Sequence, residues 1–144
     1  MPAAIEYREE IGGEEAIRNY CWDVASQGGK CAAEILGTHV MDNNSGSMSK
    51  CCFSNVRLPL EFNREGETHG KSPFSAENAE KIKSWLNKTA VDEFDTYLQI
   101  GFHAGSMWTR LSGQIYVGIK DFEWVAFKLK ELCARLNENP KLVG

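Results

Sequence analysis

The 144-residue sequence contains no Cys-x-x-Cys pair, and its three histidines (His39, His69 and His103) show no ligand spacing with any cysteine. A structural zinc site is therefore not expected. It also has no apolar run longer than a few residues, so it offers no membrane span. Basic residues are scattered and outnumbered, 16 against 20 acidic, for a net charge of −4. That balance leaves no electrostatic footprint for nucleic acid. The first residues, Met1-Pro2-Ala3-Ala4-Ile5-Glu6, lack a basic segment followed by an apolar one, so no signal peptide is read and a cytoplasmic location is expected. Asn43-Asn44-Ser45 and Asn87-Lys88-Thr89 match the glycosylation pattern but carry no meaning without export.

What the chain does have is ordinary globular composition, 42% hydrophobic and 25% charged, at a length that suits one domain. Its five cysteines, an odd number, favour reduced thiols. Cys21, Cys31 and Cys133 fall on apolar helical stripes and read as small buried hydrophobes. Cys51-Cys52 reads as the start of a strand, with its two thiols on opposite faces.

Periodicity divides the chain into helix, strand, helix, two strands and helix. A 3.6-residue stripe (Ile17, Tyr20, Cys21, Val24, Ala25, Gly28, Cys31, Ala32, Ile35, Leu36) predicts a helix from about Glu14 to Leu36. Gly12-Gly13 separates it from a short helical stub at Ile5–Glu10. Gly28-Gly29 inside it costs about 1 kcal/mol each relative to alanine, which suggests close approach by another backbone. Cys51–Pro59 predicts a strand stopped by proline, and residues 61–72 a hydrophilic connection. Ser72-Pro73 or Ser75 begins a second helix to about Lys88, with Ala79, Ile82, Trp85 and Leu86 inward. Tyr97–His103 and Met107–Val117 form a hairpin about Ala104-Gly105-Ser106. Asp121 caps a last helix whose stripe is Phe122, Val125, Ala126, Leu129, Leu132, Cys133 and Leu136. The expected fold is α+β, a partly antiparallel three-stranded sheet with helices on one face.

Alternation assigns Met107, Thr109, Leu111, Gly113, Ile115 and Val117 to the helix side of the last strand. Its other side collects Trp108, Arg110, Ser112, Gln114 and Tyr116. With Phe53, Asn55 and Arg57 from the first strand and Tyr97, Gln99 and His103 from the second, this face is rich in arginine and aromatics and lacks Lys and Glu. That is the composition of an interface or ligand site rather than of a solvated face.

Five ordered blocks carry a resemblance: Gly12-Gly13-Glu14-Glu15-Ala16-Ile17, Leu36-Gly37-Thr38, Cys51 to Leu60 (CCFSNVRLPL), Arg110 to Tyr116 (RLSGQIY) and Asp121-Phe122-Glu123-Trp124. Together they resemble the C-terminal part of class V aminotransferase-like, pyridoxal-phosphate-dependent enzymes. The likeness is in particular to the isopenicillin N epimerase-like branch, which includes fungal carbon–sulfur lyases of the ergothioneine pathway. The resemblance implies the small C-terminal domain of a fold-type-I enzyme, with residues 1–13 the end of an interdomain helix and linker and residues 14–144 the domain. It implies that Arg110 binds the α-carboxylate of an amino-acid substrate, through the paired hydrogen bonds that a guanidinium makes and an ammonium cannot. Asn55 and Arg57 lie in a matching block and are further candidates for substrate contact.

The resemblance also implies what the chain lacks. The Schiff-base lysine, the acidic partner of the pyridine nitrogen and the phosphate cradle belong to a large domain, and none of the ten lysines here lies in such a motif. The implied partners are that large domain and a second copy in a homodimer, and the chain is expected to be catalytically incomplete alone. Transamination, racemisation, desulfuration and β-elimination share the scaffold, so the reaction is left open. A stand-alone interaction or dimerisation module is the alternative. Two enzyme readings are set aside. Gly66 to Ser72 has three residues, not four, between its glycines and so misses the phosphate-loop spacing. A Cys51 nucleophile with His103 lacks any feature that would lower the thiol pKa.

Overall fold

The structure, a computed structural model, describes residues 2–63 and 72–143. The phosphate-loop-like stretch and most of the hydrophilic connection lie outside the described residues. Four α-helices and three strands follow the expected order: α1 (Pro2–Glu10), α2 (Gly13–Leu36), β1 (Phe53–Arg57), α3 (Ala79–Phe94), β2 (Gln99–His103), β3 (Ser106–Ser112) and α4 (Ile119–Glu138). Gly12 and Gly13 both take positive φ, which breaks the chain between α1 and α2 as their side-chain-free backbones allow. Ser75 opens the segment before α3 through a 3-10 turn, its N–H and hydroxyl both donating to Asn78 Oδ1 at 2.9 and 3.0 Å. Beyond Lys88, apolar Ala90 keeps the stripe in register, and α3 runs on to Phe94, where Asp95 takes the left-handed conformation.

The sheet order is β1-β3-β2, and both pairings are antiparallel, so the sheet is antiparallel throughout and not partly so. The hairpin and the return of β1 onto the other edge of β3 leave no parallel pair. The outer edge of β1 is covered by residues 39–41: Met41 N–H donates to Asn55 O and Arg57 N–H to His39 O. This blunts an edge that would otherwise be open to pairing.

The core lies between the sheet and the helices. Ser54, Val56, Ile100, Met107, Thr109 and Leu111 face it from the strands and are buried. They meet Ile82 and Leu86 of α3, Ala32 and Leu36 of α2, and Phe122, Leu129, Leu132 and Leu136 of α4. Phe62, inside the segment expected to be hydrophilic, also packs inward, its ring 5.0 Å from that of Phe102.

Three expectations change at close contacts. Helix α2 is continuous through Gly28-Gly29, and what approaches there is side chain, not backbone. A Cβ on Gly28 would meet the Phe122 ring at 2.4 Å, and one on Gly29 would meet Ser54 at the same distance. Ser54 also donates its hydroxyl to Ala25 O at 2.7 Å, satisfying a polar group that is otherwise buried. The backbone-on-backbone approach occurs instead at Gly113, whose Cβ would lie 2.4 Å from the Cys21 carbonyl oxygen. There the last strand ends. Residues 113–118 turn away from the sheet, so Gln114 and Tyr116 do not continue the strand face, and Ile115, expected inside, is exposed.

The remaining differences are local. Cys51 and Cys52 precede β1 rather than forming it, and the Cys51 thiol is held in the loop by Met48 O and Phe53 O. Asp121 does cap α4, but from its third position: Oδ2 accepts the Gly118 N–H at 2.8 Å while Gly118 occupies the cap.

Candidate functional site

The helix-free face of the sheet holds the residues that alternation assigned to it. Arg110 stands mid-way along the central strand, directly between Asn55 of β1 and Gln99 of β2. This row of guanidinium and two amides crosses the face. Arg110 is exposed and, among the described residues, makes no ion pair; its guanidinium carbon sits 5.6 Å from the centre of the Phe53 ring. An aromatic face on one side steers such a side chain without neutralising it. Its remaining N–H donors stay available, and they suit a carboxylate.

Arg57 is in a different state. Its backbone pairs with Trp108, its Nη2 lies 3.1 and 3.2 Å from the two oxygens of Glu61, and its Nε is buried without a partner. The Arg57 carbonyl accepts the Thr38 hydroxyl at 2.7 Å. Trp108 is half-buried, edge-on to His39 with ring centres 5.5 Å apart, and its indole N–H donates to His103 O. Arg57 and Trp108 are thus tied into the surface beside Arg110, and Asn55 is half-buried between them and Phe53.

Two open clefts meet at Arg110. One, of about 370 Å³, lies over the sheet and includes Asn55, Gln99, Gly101, His103 and Trp108. The other, of about 630 Å³, runs between the sheet and the start of α4; Tyr97, Tyr116, Asp121 and Trp124 help to line it. The α4 contribution was not legible from strand alternation, because it arrives from another element. Its signal in the sequence was only that Trp124 falls off the apolar stripe of α4. Among the described residues, no lysine lines either cleft. Neither cleft, as lined by the described residues, offers an anchoring group for a Schiff base.

The cysteines do not form a reactive centre of the Cys51–His103 kind, since the Cys51 thiol is turned onto loop carbonyls. Cys133 is enclosed by the core, and burial pushes its thiol up to about 12. The neutral thiol is therefore the native form at ordinary pH, and it is retained by the folded chain well above the range in which an unfolded thiol ionises. This contribution to stability is complete below the ordinary thiol pKa and is lost as pH rises towards 12. In native protein at mildly alkaline pH, iodoacetamide is expected to leave Cys133 unmodified and to modify it once denaturant is added. Labelling of Cys133 before unfolding would show that this part of the core opens.

Among the described residues, no group of three or more His, Cys, Asp or Glu could hold a metal ion, and no helix is long and apolar enough to cross a membrane.

The fold and the site together define a small α+β domain that buries one sheet face under helices and leaves the other exposed, with Arg110 at its centre. Its relatives narrow this class. The chain is 31% identical over 147 aligned residues to the L-cysteine desulfhydrase-like proteins lolT2 and lolT1 of Epichloe uncinata, covering 94% of the chain in each case. It is 28% identical over 131 residues, 91% of the chain, to the hercynylcysteine sulfoxide lyase of Schizosaccharomyces pombe. These relatives bear out the resemblance to carbon–sulfur lyase-like enzymes of the pyridoxal-phosphate group. The chain spans about a third of their length, 32% of the first two and 28% of the third. No protein-family model matches it.

Proposed function

We propose that this chain is the substrate-carboxylate-binding small C-terminal domain of a pyridoxal-phosphate-dependent carbon–sulfur lyase-like enzyme of the class V aminotransferase-like group. It acts on an amino-acid substrate in a reducing compartment such as the cytosol, and works with a large domain that holds the cofactor. The observation that carries this reading is Arg110: exposed, without an ion pair among the described residues, seated against Phe53 and flanked by two amides where two clefts meet. The reading is supported by relatives whose names describe cysteine desulfhydrase-like and sulfoxide lyase proteins. The cofactor chemistry belongs to the large domain, and the chain contributes recognition and orientation of the substrate.

The exposed aromatics on the same side favour a second reading. Tyr97 is 70% and Tyr116 82% exposed, and with Phe53 they border Arg110. Such a surface also suits a free-standing dimerisation or interaction module. The size of the native product separates the two. In a cell extract probed with an antibody to the C-terminal peptide, the enzyme reading expects a band about three times the chain's 16.1 kDa. A band at 16.1 kDa would overturn it and leave the module.

A further inference from the structure

Cys21 of α2 and Cys52, which lies just ahead of β1, are neighbours. The register of the α2–β1 interface is set by Ser54, whose hydroxyl reaches Ala25 O and whose side chain fills the place of a Gly29 Cβ. Cys52 lies two residues before Ser54, just ahead of β1, and Cys21 lies about one helical turn before Ala25 on α2. Gly113, just past β3, touches both segments: its N–H donates to Cys52 O at 2.8 Å, and a Cβ on it would lie 2.4 Å from the Cys21 carbonyl oxygen. Cys21 is buried and Cys52 is half-buried. Burial pushes the Cys21 thiol up, and the adjacent Cys52 thiol adds to the effect by charge and by hydrogen bonding. The other three cysteines are placed differently: Cys51 is held by loop carbonyls, Cys31 lies 3.8 Å from Glu123 Oε1, and Cys133 is sealed in the core.

We propose that Cys21 and Cys52 form a redox-modification site, in which a peroxide converts the two thiols to an intrachain disulfide that staples the approach to β1 onto α2. Cys52, the more accessible sulfur, attacks one peroxide oxygen; the O–O bond breaks, Cys52 becomes a sulfenic acid, and the departing oxygen leaves as water with the Cys52 proton. Cys21 sulfur then attacks Cys52 sulfur. The S–O bond breaks, and the hydroxide leaves as a second water with the Cys21 proton. Two thiols are oxidised by two electrons and one peroxide is reduced to two waters. Because its pKa is raised, Cys21 is the slower partner near neutral pH, and the second step accelerates as pH rises. The staple fixes the chain beside Phe53, the ring on which Arg110 rests, but the chemistry is independent of the function assigned to Arg110.

The test uses the purified protein at its native length, treated with hydrogen peroxide, blocked by alkylation and mapped by peptide mass spectrometry without reduction. The expected product is a cross-linked peptide pair containing Cys21 and Cys52, two hydrogens lighter than the separate peptides and restored by dithiothreitol. In parallel, the oxidised protein melts at a higher temperature than the reduced one, and this difference disappears in Cys52→Ser. Because Cys21 is buried, Cys21→Ser serves only as a second variant, and Cys52→Ser at the half-buried position carries the conclusion. A Cys51–Cys52 peptide, an intermolecular dimer, or a fully alkylatable Cys21 in protein whose Cys52 has been oxidised would each overturn the proposal.

Discussion

If the proposed function holds, replacing Arg110 with alanine in a polypeptide that carries both domains is expected to lower kcat/KM for the amino-acid substrate by roughly 100-fold or more. A hydrogen bond to a charged group is worth about 1.5–3 kcal/mol, and a guanidinium can give a carboxylate two at once. Losing most of such a pair costs about 3 kcal/mol, and each 1.4 kcal/mol is tenfold. Arg110→Lys is expected to recover little, because an ammonium presents a point charge where the site offers a planar fork. Thermal stability should barely move in either variant, since the side chain is exposed and rests only on Phe53. Steady-state kinetics with substrate and with a decarboxylated analogue would check this. The analogue should be nearly indifferent to the substitution, and unchanged kinetics with the true substrate would remove Arg110 from the site.

Gly113→Ala is the second substitution expected to have a large effect, this time on stability. The added methyl carbon would lie 2.4 Å from the Cys21 carbonyl oxygen, 2.9 Å from Val24 and 3.1 Å from Ala25. The nearest of these atoms belongs to helix backbone, which cannot swing aside as a side chain tip can. Overpacking of this kind costs about 1–3 kcal/mol and sometimes more. The lower entropy of the unfolded alanine chain returns less than about 1 kcal/mol. A net loss of about 1–2 kcal/mol is expected, which lowers Tm by roughly 3–8 °C in a chain of this size. Gly101→Ala is the control: it sits in β2, and a methyl there would meet nothing within 4 Å. Equal melting temperatures for Gly113→Ala and wild type would mean that β3 and α2 can separate at little cost.

The two substitutions probe parts of the molecule that differed in how far they could be read in advance. Arg110 was placed on the outer face by strand alternation alone, and the structure puts it there, between Asn55 and Gln99. A strand's side chains alternate whatever the strand packs against, so the face of a residue inside a strand is local information. Gly113, Gln114, Ile115 and Tyr116 were carried one step too far by the same rule. Their alternating pattern continues in the sequence, but the strand stops at Ser112, where the chain meets α2. Alternation cannot register that encounter, because it depends on a helix about 90 residues away.

The glycines show the same division. Gly12-Gly13 marked a helix break, since the backbone needs positive φ there and little else supplies it. Gly28-Gly29 promised a close approach, yet which group approaches, the Phe122 ring or the Ser54 hydroxyl, depended on α4 and β1. The clefts beside Arg110 follow this pattern too, with Tyr97, Asp121 and Trp124 arriving from separate parts of the chain. By itself the sequence determined the order of elements, most of the buried stripe of α2, α3 and α4 (Tyr20, expected inside, is exposed) and the outward aim of Arg110, because each follows from periodicity within one segment. Tertiary structure alone decided where β3 ends, that Arg57 is tied to Glu61 while Arg110 makes no ion pair among the described residues, and that Cys21 and Cys52 are neighbours, because each depends on contacts between segments distant in the chain or on how a turn folds back.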